Sequence, residues 1–186
     1  MDITAGDFVT NDSTSASPSD QTRGAASAVT LQIIADEILT EVRRLPSDLM
    51  TWIPAEGVWS VMDILCHIRE FIPFWTDETL RIVREPHEIW GRDHTDARRL
   101  AAVTNTASHE LEEVLGDIWR TVQRSASTLA RLSDADLAIE AMSKNPRWGR
   151  KPASFVVDHL LVEHVEKHLG QIRRNVAQFA EARAKA

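Results

Sequence analysis

Two histidines set four residues apart are the part of this chain best suited to chemistry. His164 and His168 fall about 40° apart on a helical wheel, on one face. Val157, Leu161 and Gln171 share that face, which is otherwise apolar and predicts a side turned to the core. Imidazoles placed there need partners, because a buried polar group without one is costly. A histidine pair at this spacing can chelate one divalent ion, each nitrogen approaching to about 2.0–2.1 Å. A third ligand must come from another element, and His67 has the position for it. It shares a stripe with Ile64, Phe71 and Phe74, so it is expected to look across to His164 and His168. Three histidines leave a coordination position open, which is the mark of a catalytic rather than a structural metal site. Ligating histidines must be neutral, so metal affinity is expected to fall below about pH 6.5.

The same wheel nominates three residues to orient the ligands or move a proton. Gln171 lies one turn past His168, Asp63 one turn before His67, and Glu70 one turn after it. A ligating imidazole usually donates its other N–H to such a group, and a carboxylate there could serve as a base. Each has a plainer use: Asp63 can cap a helix at Ser60, and Glu70 can be a solvated edge residue. The remaining histidines are weaker candidates. His159 falls on the opposite side of its helix from the pair, and His87, His94 and His109 sit near helix ends or loops, although His94 beside Asp93 could line the mouth of a site. Cys66 reads as a small buried hydrophobe. Trp59, Trp75 and Trp119 read as core aromatics, and Trp90 and Trp148 as loop residues able to pack over a pocket.

Helices must position these residues. Leu31, Ile34, Ile38, Val42 and Leu45 form one helical stripe that Pro46 ends. Ser60 and Asp63 make a capping signal before a long amphipathic run from Val61 to about Arg84, kinked at Pro73 and closed by Pro86. A short helix is expected through Arg98 to Val103. A third long helix carries Leu111, Leu115, Ile118, Val122, Leu129 and Leu132. Ser133 to Lys151 reads as a connection, and a last helix runs from about Ser154 to about Ala182. No stretch alternates with period two for long enough to argue a strand. The expected fold is all-α, a four-helix bundle over residues 28–186, preceded by a flexible N-terminal tail over residues 1–27 that is rich in Ser, Thr, Asp, Ala and Gly.

Composition narrows the partners. The 186 residues carry 28 acidic and 21 basic side chains, a formal net charge of −7. That excess argues against nucleic acid. No apolar run approaches the roughly 20 residues of a membrane span. One cysteine permits no internal disulfide, and no signal-peptide pattern opens the chain, so a cytoplasmic protein is expected.

Two segments carry a family resemblance. Trp59-Ser60-Val61-Met62-Asp63-Ile64-Leu65-Cys66-His67 resembles the W-S-x-x-(D/E)-x-x-x-H signature of the DinB/YfiT-like proteins. His164 through Ile172, with His168, Gly170 and Gln171, resembles their closing H-x-x-x-H-x-G-Q-I signature. Order and separation also match, and the similarity spans about residues 28–183. The resemblance implies an up-and-down four-helix bundle with a long crossover, a divalent metal (Zn²⁺ or Ni²⁺) held by His67, His164 and His168, and often a homodimer. It also implies a low-molecular-weight thiol such as mycothiol or bacillithiol in S-transfer or isomerisation; water in the open coordination position would instead make the reaction a hydrolysis. Leu169 departs from the basic or histidine residue many relatives carry there, and residues 86–104 give no substrate. The alternative is a non-catalytic helical-bundle binding or interaction module whose histidine cluster only stabilises the bundle or a dimer.

Overall fold

The computed structural model describes residues 21–185. Four long rods carry the fold: α1 (Arg23–Val42), α3 (Val61–Arg84), α5 (Leu111–Leu129) and α8 (Glu163–Ala184). Shorter pieces join them: α2 (Ser47–Met50), α4 (Ala97–Ala102), α6 (Asp134–Ala138) and α7 (Ala153–Phe155). Each long rod buries one apolar stripe. Leu31, Ile34, Ile38 and Val42 of α1 meet Val114, Leu115, Ile118 and Val122 of α5, and Ile64, Ile68, Phe71 and Ile72 of α3 complete the centre with Val165 and Ile172 of α8.

The caps explain where the rods begin. Ser60 and Asp63 form a reciprocal capping box at the head of α3: the Ser60 hydroxyl accepts from the Asp63 amide at 3.2 Å, and the Asp63 carboxylate accepts from the Ser60 amide at 2.9 Å. The helix then runs unbroken through Pro73 to Arg84. Ser133 and Asp136 repeat the device at α6. The first helix starts earlier than its hydrophobic stripe indicates. Thr22 caps it, so Arg23 to Ser27 are helical rather than tail, while residues 1–20 of the expected tail lie outside the described residues.

Gly24 shows why that early start is tolerated. A Cβ there would lie 2.8 Å from the Leu132 carbonyl oxygen and closer still to that of Leu129, so α1 passes the end of α5 at backbone distance. Replacing a helical glycine by alanine ordinarily gains up to about 1 kcal/mol. Here the overlap with two backbone carbonyls reverses the sign, and Gly24→Ala is expected to destabilise the fold by about 1–2 kcal/mol. Thermal unfolding checks this: an unchanged or raised Tm would show that the backbones do not approach so closely.

Two features depart from an all-helical connection between α5 and α8. Glu140–Met142 (β1) pairs antiparallel with Arg150–Pro152 (β2), and the chain at Trp90 adds to this ribbon through a parallel bridge to Ser143. The Trp90 ring, fully buried, donates its indole N–H to the Ala141 carbonyl at 2.9 Å and stacks on Trp148 at 5.7 Å. Three-residue strands are too short to leave an alternating pattern. The second feature is a π-helical stretch, Val156–Val162, that leads directly into α8. Such wide turns recur at functional sites. Trp119 is a correction to the expected core: it is 51% exposed on α5.

Candidate metal centre

The bundle brings His67 of α3 against His164 and His168 of α8. Their ring centroids are 4.7–5.4 Å apart, and one ring nitrogen from each lies within 4.8 Å of the others. His67 and His168 are buried and His164 is half-buried. Phe71 stacks on the His164 ring at 4.3 Å, and the Trp59 ring meets His67 edge-on at 5.0 Å, so aromatic faces fix the imidazoles on two sides.

Two ring nitrogens, Nδ1 of His67 and Nε2 of His168, are buried with no hydrogen-bond partner. Orphaned buried nitrogens are rare, and each calls for an explanation. Gln171 fixes the chemistry of one. Its Oε1 lies 2.6 Å from Nδ1 of His168; an amide oxygen only accepts, so Nδ1 carries the proton and Nε2 keeps a bare lone pair. The residues thus fit a divalent ion: three neutral nitrogen donors of the type zinc and nickel accept, two of them otherwise unpartnered. Among the described residues no fourth His, Cys, Asp or Glu joins the cluster.

Burial sets the proton affinity of all three. His67 is pushed down to about 2, first by burial and then by the charges of His168, His164, Arg99 and Arg92. Burial, with the charge of His168, brings His164 to about 4, against the pull of the Leu160 carbonyl one turn earlier. Burial brings His168 to about 4 although Gln171 favours its protonated form. The rings therefore stay neutral well below pH 6.5, which moves the expected loss of metal affinity from about pH 6.5 down toward pH 4.

The same shifts make the metal-free fold acid-sensitive. The unfolded chain takes up protons on these histidines below about pH 6.5, and the folded chain does so only near pH 4 and below. Stability is therefore full above about 6.5 and is lost as pH falls, down to about 4 for His164 and His168 and further, to about 2, for His67. By pH 5 the loss is on the order of 2 kcal/mol for each of His164 and His168. Urea unfolding of metal-free protein at pH 7 and pH 5 measures it; equal midpoints would show that the histidines are not buried neutral.

The other orienting candidates are placed elsewhere. Asp63 caps α3 and accepts from the Thr106 hydroxyl, tying the 106–108 turn to the helix head, and makes no hydrogen bond to an imidazole. Glu70 grips Arg92 through both oxygens, at 2.5 and 2.7 Å. Arg92 is a participant that the sequence conceals. Its guanidinium is buried, sits 4.0 Å from the centroid of the Phe74 ring, and also meets Asp96 at 3.3 Å. Its partner lies 22 residues away in another element, so no local pattern announces it. Asn175 is a second, donating to the Trp59 carbonyl at 2.8 Å and so holding the loop before α3 onto α8. His159 is exposed and bonded to Glu163, and Cys66 is buried with its thiol pushed up by burial, so neither approaches the cluster.

The cluster opens to the surface. His67 and His164 line a cleft of about 650 Å³, together with Trp75, Trp148, Asp93 and His94. The last two come from the loop after α3, held in place where Lys144 meets Asp93 at 3.2 Å. A cleft of this size suits a small molecule.

Comparison with known proteins agrees with this architecture. YfiT from Bacillus subtilis, described as a probable metal-dependent hydrolase with an unusual four-helix bundle topology, superposes with a TM-score of 0.71 at 12% identity, over 94% of this chain and 95% of that one. A mutant of a mycothiol-dependent maleylpyruvate isomerase superposes with a TM-score of 0.62 at 10% identity, over 80% of this chain and 60% of that one. At such identities the likeness is one of fold. No curated protein matches the sequence. No helix among the described residues is long and apolar enough to cross a membrane. The DinB superfamily model matches residues 30–172, most of the chain and both histidine segments, and the protein belongs to that superfamily.

Proposed function

We propose that this protein is a metal-dependent enzyme acting on a small molecule, with His67, His164 and His168 holding a divalent ion, Zn²⁺ or Ni²⁺. The observation that carries this reading is the pair of buried, unpartnered ring nitrogens beside an open cleft. A purely structural cluster would be closed by a fourth protein ligand, and none is present among the described residues. When bound, such an ion supplies an electrophilic centre that favours the thiolate of a thiol ligand or the deprotonated form of water.

The chain's own residues do the rest. Gln171 holds the His168 tautomer by accepting from Nδ1. Phe71 and Trp59 keep the rings in place and exclude water from their far sides. The reaction class is S-transfer or isomerisation with a low-molecular-weight thiol, mycothiol- or bacillithiol-like, or hydrolysis. The structural likeness to a mycothiol-dependent isomerase and to a probable hydrolase supports both branches. A cytoplasmic setting fits the thiol chemistry and the single cysteine. A homodimer fits the apolar side chains left exposed on the packed pair α1 and α5, Ile33 and Trp119.

The test is a turnover assay on Zn²⁺- and Ni²⁺-loaded protein, with a thiol plus an electrophile in one arm and activated esters in the other. Activity that falls at least a hundredfold in His164→Ala supports the reading. Activity equal in the metal-free protein contradicts it.

Gln171 gives a finer expectation. Groups that orient a ligating imidazole typically contribute 10–100-fold to metal affinity. Gln171→Ala is expected to weaken Zn²⁺ binding by that factor, and Gln171→Glu, which still accepts from Nδ1, is expected to restore most of it. Competition titration against a zinc chelator reads both variants; unchanged affinity in Gln171→Ala removes the orienting role.

A further inference from the structure

The charge lining the cleft has the opposite sign from the protein. The chain carries −7 overall, yet the cleft beside His67 and His164 is lined by Arg92, Arg99, Lys144 and Arg147 against a single carboxylate, Asp93. Two of those cations are already matched. Arg92 is held by Glu70 and Asp96, and Lys144 by Asp93. Arg99 and Arg147 make no ion pair among the described residues. Arg99 is the more confined of the two. It is half-buried on α4, one N–H donates to the His94 carbonyl at 3.2 Å, and its guanidinium lies 5.9 Å from the centroid of the same Trp59 ring that meets His67. Its charge is felt at both His67 and His164. A half-buried arginine lining the same cleft as His67 and His164, with no ion-pair partner among the described residues, is an arrangement a ligand anion completes. A planar fork answers a carboxylate with two parallel hydrogen bonds. The neighbouring surfaces are rings, Trp75 and Trp148, which suit the carbon skeleton of an organic acid better than a phosphate shell.

We propose that the cleft binds a small organic acid whose carboxylate docks on Arg99, with Arg147 at the exposed rim adding attraction, so that the rest of the molecule lies against His67 and His164. This names a substrate class for the site described above and rests on that reading for its catalytic meaning; the carboxylate binding itself does not require the metal.

The experiment titrates succinate, neutral succinamide and inorganic phosphate into metal-free and Zn²⁺-loaded protein, following tryptophan fluorescence with calorimetry as a second readout. Succinate is expected to bind the metal-free protein, and succinamide at least tenfold more weakly. Arg99→Gln is expected to weaken succinate about tenfold, and Arg99→Lys, which keeps the charge but loses the fork, by less. Arg147→Gln is expected to cost a few-fold and to flatten the salt dependence, because an exposed charge acts through the screened field. Arg98→Gln, on the exposed side of α4, is the control and leaves affinity unchanged. Equal affinity in Arg99→Gln, equal binding of succinamide, or a preference for phosphate overturns the proposal. The two readings fail separately. Succinate binding that depends on Arg99 in protein that takes no metal leaves this inference standing and removes the metal reading. Protein that takes a metal but binds no succinate does the reverse.

Discussion

Adding Zn²⁺ to the metal-free protein at neutral pH is expected to raise its melting temperature by about 10 °C. The size follows from linkage. An ion held at a thousandfold excess over its dissociation constant stabilises the folded state by about 4 kcal/mol. In a domain of this length each kcal/mol moves Tm by roughly 2–4 °C. The effect requires that the site exist only in the folded chain, and it does: His67 and His164 are 97 positions apart in sequence, and only the packing of α3 against α8 brings their rings to 5.4 Å. The shift should vanish in His67→Ala. That variant keeps the helix and removes a ring with an unpartnered nitrogen, so its own Tm without metal should change far less than its response to metal. Calorimetric scans of both proteins with and without Zn²⁺ decide it. A rise of equal size in His67→Ala would move the ion to some other site.

The second large effect concerns Glu70 and Arg92. Removing one member of a buried ion pair leaves the other charge desolvated and unanswered, at a cost of about 3 kcal/mol or more. Arg92 has a side chain 6% exposed, and Glu70 supplies its bidentate partner. Glu70→Ala is therefore expected to lower stability by about 3 kcal/mol. Asp96, at 3.3 Å, replaces only part of what is lost. Glu70→Leu combined with Arg92→Met is expected to recover much of that loss, because hydrophobic residues often replace a buried pair at little cost. Denaturant titration of the single and double variants gives the coupling directly. A Glu70→Ala variant within 0.5 kcal/mol of the parent would show that the pair carries little. The pair anchors the loop after α3 to the helix that bears His67, so Glu70 supports the mouth of the cleft from one step away. From the sequence Glu70 is expected either to orient the His67 ring from one turn away or to be a solvated edge residue; in the structure its carboxylate is taken by Arg92.

That difference shows what one dimension can and cannot carry. The head of α3 is written locally: Ser60 and Asp63 are three residues apart, and their capping box needs nothing distant. The pairing of His164 with His168 is equally local, since four residues along a helix is a single contact. His67 joins them through two such faces, each apolar, each bound to turn inward. Arg92 could not be read this way, because what buries it is Phe74 and Glu70 on another element. The β-ribbon escaped because three residues hold barely one period of alternation. The π-helical stretch escaped because a wide turn changes the hydrogen-bond partner without changing the residue types. Trp119 went wrong for a different reason: a large aromatic at a helical position says only that it is apolar, not which side it faces. In the candidate site the histidine cluster was therefore legible, as were His94, Asp93 and Trp148 at its mouth, but the cations of the cleft were not, because they come from the loop after α3, from α4 and from the turn between β1 and β2, which only the tertiary fold brings together.

If the three histidines hold a divalent ion, the metal content of the protein must show it. Elemental mass spectrometry on protein purified without an affinity tag or chelator, with His164→Ala alongside, should find about one divalent ion per wild-type chain and none in the variant. No ion in either protein, even after reconstitution with Zn²⁺ and Ni²⁺, would contradict it.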